Sequence, residues 1–158
     1  MEQNKVIISK SNNITCIAGS TWCGKTTHLL AELKNKITVD GKVQPFILIS
    51  PELNEKPMES FISLPEHKMN GIYINSAKTE QSMFDIFDDC ITTMRSTGIK
   101  VMAFDNLPKH NAMDIVRLYN KLKIVEDLTF IFSHNIAVDD KVEHLDERYF
   151  TLAMPDYF

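Results

Sequence analysis

The sequence predicts an α/β fold: a three-layer sandwich built on a mainly parallel central sheet. Three observations carry that expectation. Short apolar runs alternate with stretches of helical periodicity along the chain. Several of those runs, such as Phe46-Ile47-Leu48-Ile49, are continuous rather than alternating, as in strands covered on both faces. The turn Gly19 to Thr26, reading GSTWCGKT, sits between one such run and the first helical pattern.

That turn fits G-x-x-x-x-G-K-[ST], the phosphate-binding P-loop. Each part has a physical task. Gly19 and Gly24 reach backbone angles that side chains disfavour, so the N–H groups of Ser20, Thr21, Trp22 and Cys23 can turn inward as an anion nest. Lys25 brings an ammonium to the β- and γ-phosphates, and Thr26 offers a hydroxyl to Mg²⁺. Thr27 follows in the first turn of the helix, whose dipole adds positive potential. Trp22 is an unusual residue in such a loop and suits either covering a nucleotide or packing at a subunit contact.

With 158 residues, the chain is long enough for one domain with its own core. Apolar residues make up 44% and charged residues 24%, the balance of a globular protein. The net charge of −4 gives no global basic field, so contact with nucleic acid must be local or arise from assembly. Cys16, Cys23 and Cys90 lack C-x-x-C spacing and suggest neither a zinc site nor a disulfide frame; a reduced, intracellular setting is expected. The first residues, MEQNKVIISK, lack the apolar stretch of a signal peptide, and no run reaches bilayer-spanning length.

Val6-Ile7-Ile8 and the Ser11-Asn12-Asn13 turn predict a hairpin or edge strand within a 1–13 lead-in to the core strand Ile14 to Ala18. Leu29, Leu30, Leu33 and Ile37 then define a helix from about Lys25 to Lys36, and Asp40-Gly41 marks a turn. After the Pro45 to Ser50 strand, Pro51 to Pro65 is polar and rich in proline, which predicts a loop with one short helical piece. Gly71 to Asn75 is a strand, and Thr79 to Thr97 a helix with a Met83, Ile86, Phe87, Cys90, Ile91, Met94 stripe ended by Gly98. Lys100 to Asp105 is a strand ending in an acid. Asn111 to Lys123 is a helix with Met113, Val116 and Leu122 inward. Leu128 to Phe132 is the next buried strand, followed by the polar Ser133-His134-Asn135. Val138 to Leu145 predicts a helical turn and Tyr149 to Ala153 a last strand.

Ligands in such sheets bind beyond the carboxyl ends of the strands, so residues at those ends deserve inspection. Asp105 closes a run of the Walker B type, where a carboxylate holds Mg²⁺. Asn106 follows, where many ATP hydrolases place a second acid; an amide positions water but is a poor base. Glu52, two residues past the Ile47-to-Ser50 strand, is the best-placed substitute. His134 or Asn135 suits a γ-phosphate sensor. Of the three arginines, Arg117 and Arg148 are candidates for completing a neighbour's site, whereas Arg95 suits a surface or dipole role. His28, His67, His110 and His144 are expected at the surface.

In order, GSTWCGKT, ILISPE, KVMAFDNL, TFIFSHN and ERYFTLA resemble the small viral genome-packaging ATPases of the FtsK/HerA superfamily, poxvirus type. The resemblance spans nearly the whole chain. It implies a RecA/FtsK-like P-loop NTPase fold over residues 1–158, ATP and Mg²⁺ as cofactors, and an oligomeric ring moving double-stranded viral DNA into a capsid. It implies contact with capsid proteins, and a place in the cytoplasm of an infected host cell at the site of virion assembly. Lys25 and Thr26 would be the Walker A pair and Asp105 the Walker B acid. His134 stands where that family has glutamine, and Asn106 where it has an acid. The family's arginine before the fourth strand is absent from Ile124-Val125-Glu126-Asp127. Lys109-His110 and Lys121 to Lys123 are candidates for contacting DNA.

GSTWCGKTTHLL is also similar to the P-loop of zinc-containing thymidine kinases. Those require a glutamate after the Walker B acid and a cysteine-bearing zinc lasso; here Asn106 replaces the first and the second is missing. A nucleotide-dependent binding switch with little hydrolysis is the further alternative, favoured by Asn106.

Overall fold

A computed structural model describes residues 6–20, 24–108 and 111–135. Its centre is a six-stranded sheet in the order β1-β2-β8-β7-β5-β6. The strands are β1 (Val6–Ser11), β2 (Ile14–Gly19), β5 (Phe46–Ser50), β6 (Gly71–Asn75), β7 (Val101–Phe104) and β8 (Thr129–Asn135). Only β1 runs antiparallel to its neighbour; the β2–β8, β8–β7, β7–β5 and β5–β6 pairs are parallel.

Helices α1 (Lys25–Ile37), α2 (Met58–Ile62), α3 (Pro65–Asn70), α4 (Met83–Thr97) and α5 (Ala112–Lys123) surround it. Strand alternation explains the layering, because successive side chains point to opposite faces. Ile17, Leu48, Ala103 and Ile131 meet Leu29, Leu30, Leu33 and Ile37 of α1 and Met58 and Phe61 of α2. Cys16, Ile49, Met102, Phe104, Phe130 and Phe132 meet the α4 and α5 stripes on the other face. Phe87 of α4 is the hub there, 5.5 Å from Phe104 and 6.3 Å from Phe130 between ring centroids. Fully burying a side chain of this size is worth about 1.5–3 kcal/mol. The arrangement is therefore a mixed α/β fold with a mostly parallel sheet between helical layers, compatible with the expected sandwich.

The turn between β1 and β2 is fastened to the far end of α5. Asn13 is buried, and its amide nitrogen faces the carbonyl oxygens of Leu122, Val125 and Leu128 at 3.1, 2.8 and 3.1 Å. The amide has two hydrogens, so the three contacts share them.

Several expectations need correction. The expected turn at Asp40 and Gly41, both at positive φ, is present, but it also closes an unanticipated small hairpin of β3 (Thr38–Val39) and β4 (Lys42–Val43). Between Pro51 and Pro65 the expected single short helix is α2; a second, unanticipated helix, α3, begins at Pro65 and runs to Asn70. Helix α4 starts at Met83 because the Ser82 hydroxyl accepts the Asp85 N–H; upstream, the Thr79 hydroxyl accepts the Gln81 N–H and holds a local turn. Leu122 faces inward as expected and Val116 packs partly buried against the core, but Met113 is 56% exposed, and Ile115, Leu118 and Tyr119 complete the inward face of α5. Strand β8 does not stop at Phe132 but runs on through Ser133 and His134, both buried. The expected turn at Val138 to Leu145 and strand at Tyr149 to Ala153 lie outside the described residues.

His67 is likewise not a surface residue. It is 2% exposed, stacked on Phe61 at 4.0 Å between centroids, with its Nδ1 2.8 Å from the Phe61 carbonyl. Tyr73 closes this cluster by donating its hydroxyl to the His67 carbonyl at 2.7 Å. Its ring lies over Gly71, where a Cβ would fall 2.5 Å from Cζ, so any larger residue there would have to displace the Tyr73 ring. Burial pushes the Tyr73 phenol from 10.0 up to about 12. The folded value exceeds the unfolded one, so this contribution to stability is complete below pH 10 and is lost as pH rises through about 12. Absorbance titration should show a late-ionising step from Tyr73, and Tyr73→Phe should remove it and move alkaline unfolding to higher pH. An unchanged titration in the variant would contradict this account.

Candidate functional site

At the carboxyl end of β2, the chain leaves Gly19 and re-enters the described residues at Gly24, which caps α1 in the left-handed region, φ 91°. A Cβ there would meet nothing within 4 Å. Glycine is thus required by the backbone angle rather than by space. Lys25, the first residue of α1, is only 7% exposed, and its ammonium donates to the Ser20 carbonyl at 2.7 Å. Thr26 is half-buried and Thr27 exposed. Thr21, Trp22 and Cys23 lie outside the described residues.

Asp105 follows β7 directly and is 1% exposed. Its carboxylate accepts from Thr26 Oγ1 at 3.0 Å (Oδ2) and from Ser133 Oγ at 2.8 Å (Oδ1), with Ser50 Oγ at the limit of bonding, 3.5 Å. Four elements therefore converge on one carboxylate: β5, β7, β8 and α1. Burial holds the Asp105 carboxyl above the usual range; the hydroxyls of Ser133 and Thr26, the Lys25 charge and the Ser50 hydroxyl pull the other way. A buried acid held beside a threonine hydroxyl is chemically suited to a hard divalent cation, which favours oxygen ligands and would relieve the desolvated charge.

Asn106 adopts φ 60°, uncommon for a residue with a side chain but tolerated by asparagine. The turn aims its amide across the site. Nδ2 donates to Glu52 Oε1 at 3.4 Å, and Oδ1 accepts from Asn135 Nδ2 at 3.1 Å. Glu52 is in turn fixed by its backbone N–H, which donates to Ser50 Oγ at 3.0 Å. Its carboxyl is raised by a hydrogen bond with Glu55, by burial, and by the charges of Glu55 and Asp105, with Asn106 opposing. These groups surround an open cavity of about 560 Å³ lined by Gly24 to Thr27, Pro51, Glu52, Asp105, Asn106 and Asn135, with α2's approach at Glu55 to Pro57 as the far wall.

The fold brings together Gly19, Ser20, Gly24, Lys25, Thr26, Thr27, Glu52, Asp105 and Asn106 at one end of the sheet. His134 is placed elsewhere. It shares a face with Phe130 and Phe132, the face opposite Ser133, and is 0% exposed. Protein atoms cover it on every side, so of the two sensor candidates Asn135 is the one at the cavity. Arg117 pairs with Asp114 and lies over the Phe84 ring, 5.7 Å from its centroid, and does not line the cavity. Arg95 forks onto Asp127 at 2.8 and 3.2 Å and does not line the cavity. Lys121 pairs with Asp88 at 2.6 Å, and Lys123 lies over the Tyr119 ring. Arg148, Lys109, His110 and His144 lie outside the described residues.

Ser133 is the residue that sequence reasoning placed only as part of a polar cluster. A usable signal was present: it follows Ile131 by two, so on a continuing strand it takes the same face. No described helix is long and apolar enough to cross a membrane. The chain matches no protein-family model and no curated protein.

Proposed function

We propose that this protein is a Mg²⁺-dependent ATPase with a RecA/FtsK-like P-loop fold. One observation supports that reading above the others. Thr26 and Asp105, 79 positions apart in sequence, meet at 3.0 Å at the carboxyl ends of parallel strands. That is the juxtaposition the motif demands if one Mg²⁺ is to be shared between turn and acid. Lys25 and the backbone N–H groups of the Gly19 turn would hold the phosphates of ATP; Thr26 and Asp105 would hold Mg²⁺. Bound there, the ion supplies neutralisation of charge developing on the transferred phosphoryl group. Glu52 would accept the proton of the attacking water, held in register by the amide of Asn106. Asn135, on the rim between the two strands, is suited to sense the terminal phosphate.

The order of motifs supports the further step, that the ATPase works as a homo-oligomeric ring translocating double-stranded DNA into a viral capsid. The direct test is the ATPase rate with and without double-stranded DNA, together with mass in solution. A monomer whose turnover ignores DNA would refute the motor. Glu52 also supports a second reading, since a carboxylate facing an open cavity can deprotonate a nucleoside hydroxyl. Turnover that depends on added nucleoside would favour that kinase. ATP bound tightly with no turnover would favour a switch.

Glu52→Gln should lower turnover by roughly a hundredfold, the low end of general-base effects, while ATP binding stays within a few-fold. Single-turnover hydrolysis beside equilibrium ATP titration reads both. Full activity in the variant would move the base elsewhere.

A further inference from the structure

Ser133 lies at the bottom of the site, 0% exposed, on the strand that separates β2 from β7. In the parallel register it stands beside Ile17 of β2. Two residues before it, Ile131 pairs with Ala103, and two residues beyond Ala103 comes Asp105. Alternation therefore puts the Ser133 and Asp105 side chains on the same face. One hydroxyl then serves two groups. It donates its hydrogen to Asp105 Oδ1 at 2.8 Å and accepts the Asn106 backbone N–H at 2.7 Å. The Ser133 carbonyl also accepts the Leu107 N–H at 2.8 Å.

These bonds have a geometric result. With Oδ1 engaged by Ser133, Oδ2 is the nearer oxygen to Thr26, 3.0 Å against 3.3 Å. The bond to the Asn106 N–H pins the peptide just before the left-handed residue at φ 60°, and that turn points the Asn106 side chain at Glu52 and Asn135. Left-handed backbone in a residue with a side chain persists only where its surroundings hold it.

We propose that Ser133 is a positioning residue: its single hydroxyl orients the Asp105 carboxylate toward Thr26 and locks the Asn106 turn that steadies Glu52. The proposal rests on the reading of this site as a Mg·ATP site. It adds that the metal-binding half and the proton-accepting half are set by one side chain on β8. Ser133 touches neither phosphate nor water in this role, so its loss acts through Asp105 and Asn106.

The test compares Ser133→Ala and Ser133→Thr in the full chain, with two readouts. Amide exchange of the nucleotide-free protein, followed by NMR, reports on Asn106 and Leu107 individually. In Ser133→Ala, protection of the Asn106 amide should fall about tenfold, while that of Leu107, bonded to a backbone carbonyl, should hold. Titration of Mg²⁺ at fixed ATP should show half-saturation about tenfold higher, with ATP binding in the absence of Mg²⁺ within twofold of wild type. Ser133→Thr, which keeps the hydroxyl, should restore both. Should Ser133→Ala lose the fold, Ser133→Cys, similar in shape and far weaker as donor and acceptor, takes its place. ATP bound by the wild type, with Asn106 protection and Mg²⁺ dependence unmoved in a folded variant, overturns the role of Ser133. A wild type that binds no Mg·ATP overturns the ATPase reading, whatever the amide of Asn106 shows.

Discussion

Lys25→Ala should weaken ATP binding roughly a thousandfold while leaving the protein folded. Lys25 is 7% exposed as a residue, and its ammonium donates to the Ser20 carbonyl at 2.7 Å just past Gly19. A cation held this far from bulk water interacts strongly with a polyphosphate, because solvent screens it little. Removing one partner of a buried charge pair costs about 3–5 kcal/mol, and about 4 kcal/mol corresponds to the stated factor. Without ligand the balance differs, since the same ammonium has been taken out of water and donates to the Ser20 carbonyl instead of to a phosphate. The nucleotide-free variant should therefore melt within a few degrees of wild type, or above it. Calorimetric titration with ATP and a thermal melt read the two effects separately. Wild-type affinity in Lys25→Ala would remove the phosphate-binding assignment.

Asp105→Asn should show the opposite pairing of stability and function even more clearly. Burial raises the Asp105 carboxyl above the ordinary range, which means that its ionised form is disfavoured in the folded protein without a cation. A neutral amide of the same shape removes that penalty, so the nucleotide-free variant should be as stable as wild type or more so. Its Mg²⁺-dependent turnover should fall about a thousandfold, since the metal contributes several kcal/mol to the transition state. Ser133 Oγ can still donate to an amide oxygen in the Oδ1 position, and the amide nitrogen in the Oδ2 position can donate to Thr26 Oγ1, so the local geometry is kept and the loss is one of charge. A variant both less stable and fully active would contradict the metal-holding role.

Much of the site's frame was legible because local chemistry dictates it. Gly24 must be glycine at φ 91°, and the leucines after it recur at helical spacing, so the β2-turn-α1 unit could be read directly. The runs that became β5, β7 and the start of β8 are apolar without alternation, which only a doubly covered strand requires. The misses share a different cause. Ser133 and His134 read as lying past the strand's end because their polarity says nothing of what lies alongside; pairing with Ile17 and Ala18 of β2 makes them strand. His67 is buried by aromatic partners at positions 46 and 61, a tertiary fact. Met113 fits the apolar pattern of α5 yet points outward, since the helix's rotation is fixed by Ile115, Leu118 and Leu122. The bond between Asn106 and Glu52 joins positions 54 apart and has no local signature.

Strand order also determines how the two halves of the site can move. The strand bearing the Gly19 turn and the strand bearing Asp105 share no hydrogen bond; each is laced to β8 instead. Any axial slip of that common rail would shift Ser133 and Asn135 relative to both jaws at once, and with them the bonds that Ser133 makes to Asp105 and the Asn106 N–H and that Asn135 makes to Asn106. A displacement of one strand would thus reach the acid and the turn together.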